Sequence, residues 1–216
     1  MLDETQAVAY ASADFAEPHN RCVDLLSKKH PDLPSHGRAL DLGCGPGDMT
    51  VRLARALPAW TIDALDGSPV MLDLAREAAA RNGVQSRLRF SEAVIPHGAP
   101  PDTGYDLIFS NSLLHHLEEP RALWSGLIRW GRPGSFVFVA DLMRPESEAE
   151  ARGLVERYAS SEPEVLQRDF YNSLRAAYRP EEVRVQLADA GLGHLALEVI
   201  SDRHFVVWGR LPLDQR

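Results

Sequence analysis

The sequence predicts an α/β protein: an open, mostly parallel sheet of seven strands with helices on both faces and an antiparallel hairpin at its C-terminal end. Three observations carry this. From residue 39 to residue 140, apolar runs of strand length alternate with segments of helical periodicity, the pattern of parallel strands joined by helical crossovers. The first run, Ala39-Leu40-Asp41-Leu42, passes at once into Gly43-Cys44-Gly45-Pro46-Gly47 and then into helix-forming residues. The chain closes with two short apolar runs, Leu195–Ile200 and Phe205–Trp208, split by Ser201-Asp202, as in a hairpin at a sheet edge.

The bulk properties bound the function. A chain of 216 residues suffices for one well-buried domain with room for a modest insertion. Its 44% hydrophobic and 25% charged content are globular values. A net charge of -8, with no basic groove in the sequence, argues against long nucleic acid as a partner. Two cysteines, Cys22 and Cys44, make no disulfide framework. No apolar run has membrane-spanning length and no signal pattern opens the chain, so a cytoplasmic protein without a membrane partner is expected.

The elements follow in order. Residues 1–36 read as a helical lead-in or cap, with Cys22, Leu25 and Leu26 at helical spacing and Pro31 and Pro34 ending the run. The main domain is expected over 37–216. After the glycine turn a helix covers about residues 48–57, and a second strand, Trp60–Leu65, ends at Asp66-Gly67. Ser68 is placed to cap the next helix, Pro69 suits its first position and Gly83 its end. A third strand is expected at Arg87–Phe90 and a fourth, of the fully buried apolar type, at Tyr105–Ser110. The stretch Asn111-Ser112-Leu113-Leu114-His115-His116-Leu117 then leads to a helix over about 121–130. Residues 131–134 read as a tight turn before a fifth strand, Ser135–Ala140, which ends at Asp141-Leu142-Met143-Arg144. Residues 146–178 break the alternation: rich in Glu, Arg and Ala, they read as two helices inserted after strand five. Pro180 opens a last helix that Gly191 closes.

The glycine turn carries the chemistry. Without Cβ atoms the turn can tighten and a ligand can approach the backbone, while the N–H groups and dipole of the following helix point into the same space. That is a nucleotide-type pocket at the carboxyl end of the first strand. A dinucleotide fingerprint needs G-x-G-x-x-G to seat a pyrophosphate. This turn is G-x-G-x-G, and Asp41 stands two residues before it. A carboxylate there repels a pyrophosphate and welcomes a cation. Asp66, at the end of the second strand and about twenty residues on, is where an acid grips two ribose hydroxyls.

The Asp41-x-Gly43-x-Gly45-x-Gly47 pattern resembles motif I of the class I S-adenosylmethionine-dependent methyltransferases, whose cofactor carries a sulfonium and an ammonium. The resemblance implies a Rossmann-like fold and a cofactor site on matching positions. Asp41, Gly43 and Gly45, with Cys44 between them, would hold the methionine end; Asp66, with Gly67 beside it, would hold the ribose; Met71 would lie against the adenine face or serve as core filler. Tyr10 of the lead-in would close over the amino-acid end or pack on the core. The family's usual acid after strand three is out of register here, which leaves Glu92 as a substitute, or the backbone of Ala93 and Val94 alone. The stretch from Asn111 to Leu117 also resembles the family's loop at the methionine end and acceptor site.

The implied reaction is in-line transfer of a methyl group from S-adenosylmethionine, leaving S-adenosylhomocysteine, to an O, N or S nucleophile of a small-molecule acceptor. The protein's task would be alignment in a water-poor pocket. One of His115 and His116 is the candidate base for an acceptor that arrives protonated, or both merely shape the loop. Arg144 is placed to meet an anionic acceptor or a neighbouring acid, and Tyr171 and Tyr178 belong to a lid over the acceptor or to ordinary helix packing. No Cys, His and carboxylate cluster has metal-ligand spacing, so no metal is expected. The alternatives are other chemistry of the same cofactor, such as tRNA-base modification, a cofactor-binding protein without turnover, and an NAD-dependent oxidoreductase, against which the glycine spacing counts.

Overall fold

The computed structural model describes residues 16–213. Its strands are β1 (Gly37–Leu42), β2 (Trp60–Asp66), β3 (Leu88–Glu92), β4 (Tyr105–Asn111), β5 (Gly131–Leu142), β6 (Ala196–Val199) and β7 (His204–Arg210). Its helices are α1 (Ala16–Lys29), α2 (Asp48–Ala56), α3 (Pro69–Arg81), α4 (Arg121–Trp130), α5 (Glu148–Ala159), α6 (Glu164–Ala176) and α7 (Pro180–Asp189). All seven strands join one sheet in the order β3-β2-β1-β4-β5-β7-β6. Strands β1 to β5 pair in parallel, and β7 runs antiparallel to both β5 and β6. The Rossmann-like class and the closing hairpin are as the sequence predicts.

Alternation along the strands builds a core on each face. Leu40 and Leu42 of β1 join Val137 and Val139 of β5 beneath Trp124 and Leu127 of α4 and Val183 and Leu187 of α7. Ala39 points the other way, where Cys22, Val23 and Leu26 of α1 meet Val51 and Leu53 of α2 over Phe109 and Phe138, whose rings stack 5.8 Å apart. Central strands covered on both faces need continuous apolar runs, which is why the sequence shows them. Cutting Leu26, 1% exposed, back to Ala would cost about 2–5 kcal/mol.

Two local departures have physical reasons. The expected turn over 131–134 is part of β5: Gly131 pairs with Tyr105, and the register then shifts so that Phe136 pairs with Leu107. This bulge accommodates Pro133, which cannot donate to a ladder, and Gly134 at φ 77°. β3 starts one residue late because Gln85–Arg87 curl into a 3-10 turn. The Arg87 guanidinium anchors that turn on the carbonyls of Ala54, Leu57 and Trp60.

The residues after β5 form the two inserted helices. The insertion leaves and returns at one point, where Met143 bridges to Tyr178 and the Arg144 N–H donates to the Tyr178 carbonyl at 3.3 Å. Leu142, Leu154, Leu174 and Ala177 give it a small core of its own. Arg203 lies 3.4 Å over the Tyr158 ring, and both Tyr158 and Arg157 donate to Asp202, which pins α5 to the turn between β6 and β7. Strand order reverses between β1 and β4, so the crevice in which open α/β sheets bind ligands lies at their carboxyl ends.

Candidate functional site

At that crevice the three glycines of the turn do different work. The N–H groups of Gly43 and Cys44 both donate to the Leu65 carbonyl at 2.8 Å, which folds the turn back on β2. Gly43, Gly45 and Gly47 all have positive φ, at 73°, 52° and 82°. A Cβ on Gly43 would lie 2.8 Å from Leu113, and one on Gly47 would lie 2.9 Å from the Ala75 backbone. A Cβ on Gly45 would meet nothing within 4 Å. Gly45 therefore marks open space, while its two neighbours are glycines because the protein itself comes close.

Asp66 borders that space. One oxygen accepts from the Gly45 N–H at 2.8 Å and the other from the Ser68 N–H at 2.9 Å. Each oxygen keeps a free lone pair. Gly67 follows against Val94, an apolar side chain 56% exposed, and Ala93 returns its N–H to the Asp66 carbonyl. Ser68 caps α3 through the Met71 N–H, and Met71 itself is 3% exposed. Glu92 ends β3 on the exposed side. The predicted ribose and adenine positions thus share one rim; Tyr10 lies outside the described residues.

Asp41 lies beneath the turn and is 1% exposed. Thr50 of α2 donates to it at 2.5 Å, and it has no ion-pair partner among the described residues. Burial lifts its pKa to about 7; the Thr50 hydrogen bond opposes this and the Asp66 charge adds to it. Burial and then Asp41 push the Cys22 thiol up to about 12, and Cys44 is raised too, so neither is a nucleophile at neutral pH.

The tandem histidines occupy a 3-10 turn, Leu114–His116, against which Gly43 packs through Leu113. Ser112 before them takes φ 60°, rare for a residue with a Cβ, and its N–H donates to the Ala140 carbonyl. His115 is buried, with Nδ1 2.6 Å from Asp141 Oδ1. The Leu114 and Leu142 N–H groups each donate to Asp141 at 2.7 Å. Two backbone donors suit an ionised carboxylate, and opposite a carboxylate His115 Nδ1 is assigned as the donor, which leaves Nε2 with its lone pair. His116 is exposed, its ring 4.0 Å from that of His115. Desolvation on its inner side, then His115, lowers it, so it is neutral near pH 7. Asn111, at the end of β4, stands half-buried between Cys22 and Ser112.

Arg144 and Tyr178 meet where the insertion leaves and rejoins the sheet, and Tyr171 does not join them. Arg144 pairs with Glu182 of α7. Tyr178 donates to the Leu117 carbonyl at 3.2 Å, next to the histidine turn. Tyr171 lies between Arg152 and Arg175, within the insertion itself. Helix α6 packs against the histidine turn.

Three residues at the site have no role in the sequence reading. Thr50 and Asp141 are readable only as a helix-start residue and a strand-end acid until the fold brings each to its partner. His204, the first residue of β7, reaches the same rim because β7 is antiparallel; Ser201 holds its Nδ1 at 3.0 Å and burial lowers it to about 4. Among the described residues no group of three or more His, Cys, Asp or Glu could hold a metal, and no helix is long and apolar enough to cross a membrane.

Comparison with known proteins fits this geometry. Residues 39–134 match the family described as methyltransferase domain. The trans-aconitate 2-methyltransferase of Mycobacterium sp. (strain KMS) is 35% identical over 165 residues, 72% of this chain and 56% of that protein. The chain therefore spans little more than half the length of that relative. The trans-aconitate 2-methyltransferase of Rhodococcus jostii (strain RHA1) is 33% identical over 185 residues, 82% of this chain and 66% of that one. A solved SAM dependent methyltransferase from Aquifex aeolicus, 19% identical, aligns with a TM-score of 0.69 over 98% of this chain and 100% of its own, which shows a shared fold.

Proposed function

Because the chain belongs to the class I S-adenosylmethionine-dependent methyltransferases, we propose that it moves a methyl group from that cofactor to an O, N or S nucleophile of a small-molecule acceptor. The cofactor is S-adenosylmethionine and its spent form S-adenosylhomocysteine. The residues suit its chemistry. Asp41 is a buried acid with no ion-pair partner among the described residues, Gly45 opens on free space, and Asp66 accepts one hydrogen bond on each oxygen.

In this reading Asp41, Gly43, Cys44, Gly45 and Asn111 hold the methionine end, Asp66 and Gly67 the ribose, and Met71, Glu92, Ala93 and Val94 the adenine. When bound, the cofactor would supply an electrophilic methyl carbon on a sulfonium that would leave as a neutral thioether. His115 Nε2 takes the acceptor's proton where there is one. Asp141 is the positioning residue that fixes the His115 tautomer and steadies the imidazolium once formed. The insertion 146–178 serves as a lid and the lead-in 1–36 as a cap, both to exclude water.

The observation that carries the reading is the buried His115–Asp141 pair set against an open glycine cradle through Leu113. The test is calorimetric titration with S-adenosylmethionine, S-adenosylhomocysteine and NAD in parallel, followed by label transfer from the methyl donor. Binding of the first two without NAD is expected. Binding of NAD alone overturns the reading, and cofactor binding with no transfer to any acceptor leaves a cofactor-binding protein.

A further inference from the structure

Resting on that reading, we infer that the acceptor atom is the oxygen of an uncharged hydroxyl, an alcohol or phenol, on a molecule that is not a polycarboxylate. Charge at the acceptor side decides this. Arg144, the first cation beyond the carboxyl end of β5, is 34% exposed and paired with Glu182. The Glu182 carboxylate is itself fixed, because it also accepts the Arg179 N–H at 2.7 Å. The Arg179 guanidinium meets Glu146 at 3.2 Å, and Arg175 meets Glu148 at 3.2 Å. Tyr178, between Arg144 and Arg179 in this cluster, bonds a backbone carbonyl beside the histidines.

A polycarboxylate needs free, partly buried cations, and these arginines already have their acids. Across residues 143–182 acids outnumber arginines, and the whole chain carries -8, so the local field also repels anions. The same pairs set an arginine beside each of Glu182, Glu146 and Glu148, which weakens the pull of those carboxylates on an ammonium. The base points the same way. A carboxylate is already ionised at neutral pH and has no use for His115 and Asp141, whereas a hydroxyl must lose its proton as it attacks. A neutral acceptor that needs a base fits both halves of the site.

Two experiments test this on the full chain, after calorimetry has established cofactor binding independently. Methyl-labelled S-adenosylmethionine is incubated with the protein and a pool of small molecules carrying hydroxyl, amine or carboxylate groups. Alkali-stable label recovered as an ether is expected. Label released by mild alkali as methanol, the mark of a methyl ester, overturns the inference, as does label on nitrogen or no transfer with cofactor bound. Trans-aconitate serves as the anionic probe in the second. Glu182→Gln keeps the acceptor for the Arg179 N–H but frees the Arg144 charge, so binding of the probe to the cofactor-loaded variant is expected to tighten about fivefold over wild type. Equal binding of the probe by both proteins, or its saturable methylation by the wild type, also overturns the inference. Arg144→Gln provides the second variant: binding of the probe is expected to stay as weak as in wild type, and a loss of binding shows that Arg144 already serves anions.

Discussion

Thr50 donates its hydroxyl to the Asp41 carboxylate at 2.5 Å, and this bond is the main compensation for an acid that is 1% exposed. Burial nevertheless lifts the folded-state pKa from 3.8 to about 7. Between those values the folded chain keeps a proton that the unfolded chain releases. The stability from this group is therefore complete below about pH 4 and declines as pH rises toward 7. Asp41→Asn removes the titration, so the difference in thermal midpoint between acidic and mildly alkaline buffer should narrow relative to wild type. The same change should weaken S-adenosylmethionine binding about tenfold or more, because the pocket loses its buried negative charge. An unaltered pH dependence of the midpoint would show that Asp41 is ionised throughout.

Gly45 and Gly47 separate binding from folding. Ala at Gly45 carries only the penalty of its left-handed backbone, about 1–2 kcal/mol, since a Cβ there meets nothing. It does occupy the space assigned to the cofactor, so affinity should fall about tenfold or more. Ala at Gly47 has the same backbone penalty and pushes on the α3 backbone at Ala75, for a loss of about 2–4 kcal/mol. Denaturant unfolding and calorimetry on the two variants would reveal the contrast. Equal loss of affinity per unit of stability in both would remove the assignment of Gly45 to the cradle.

Asp63 provides a contrast away from the rim. Arg89 grips it at 2.8 and 2.7 Å and the Tyr105 hydroxyl donates at 2.5 Å. Burial works to raise its pKa, but the hydrogen bonds from Arg89 and Tyr105 outweigh it and hold the carboxyl below its ordinary value. Its stabilisation is thus present above the ordinary carboxylate pKa and lost as pH falls through the folded value. Arg89 is 53% exposed and can turn to water, so Asp63→Asn should cost only about 1–2 kcal/mol. Cofactor affinity should stay within about twofold, as expected for independent sites. A larger change in affinity would mean that the β2 register reaches Asp66.

Much of this site is legible in the sequence because its parts are local. The strand, glycine turn and helix are contiguous, so spacing alone places Asp41 just before the turn and Asp66 at the end of β2, and Ser68-Pro69 announces the start of α3. What is not legible depends on distant segments. Asp141 becomes the partner of His115 only when β5 is laid beside β4, and 26 residues separate them. His204 reaches the rim only because the last strand reverses. The residues assigned to the acceptor show the limit most plainly: an arginine at a strand end reads the same whether it is free or paired, and only the arrival of α7 supplies Glu182. Pro133 and Gly134 signal a turn in the sequence, yet a bulge uses the same conformations inside a strand.

The His115–Asp141 pair yields the sharpest kinetic prediction. If His115 is the base, His115→Gln should lower kcat by about 100-fold or more while leaving cofactor affinity within a few-fold of wild type. Asp141→Asn keeps a group of the same size but no longer fixes the tautomer with Nε2 free, so it should also lower kcat, with little change in KM. Groups that act as a unit are not additive, and the double variant should be no slower than the worse single one. The pH profile of kcat should change in His115→Gln. Asp141 also anchors the Leu114 and Leu142 N–H groups, so a purely structural role is a real competitor. It predicts a lowered thermal midpoint and raised KM with an unchanged pH profile, and a double variant as slow as the product of the two singles. Measuring kcat against pH for all four proteins, with their thermal midpoints, separates the two roles.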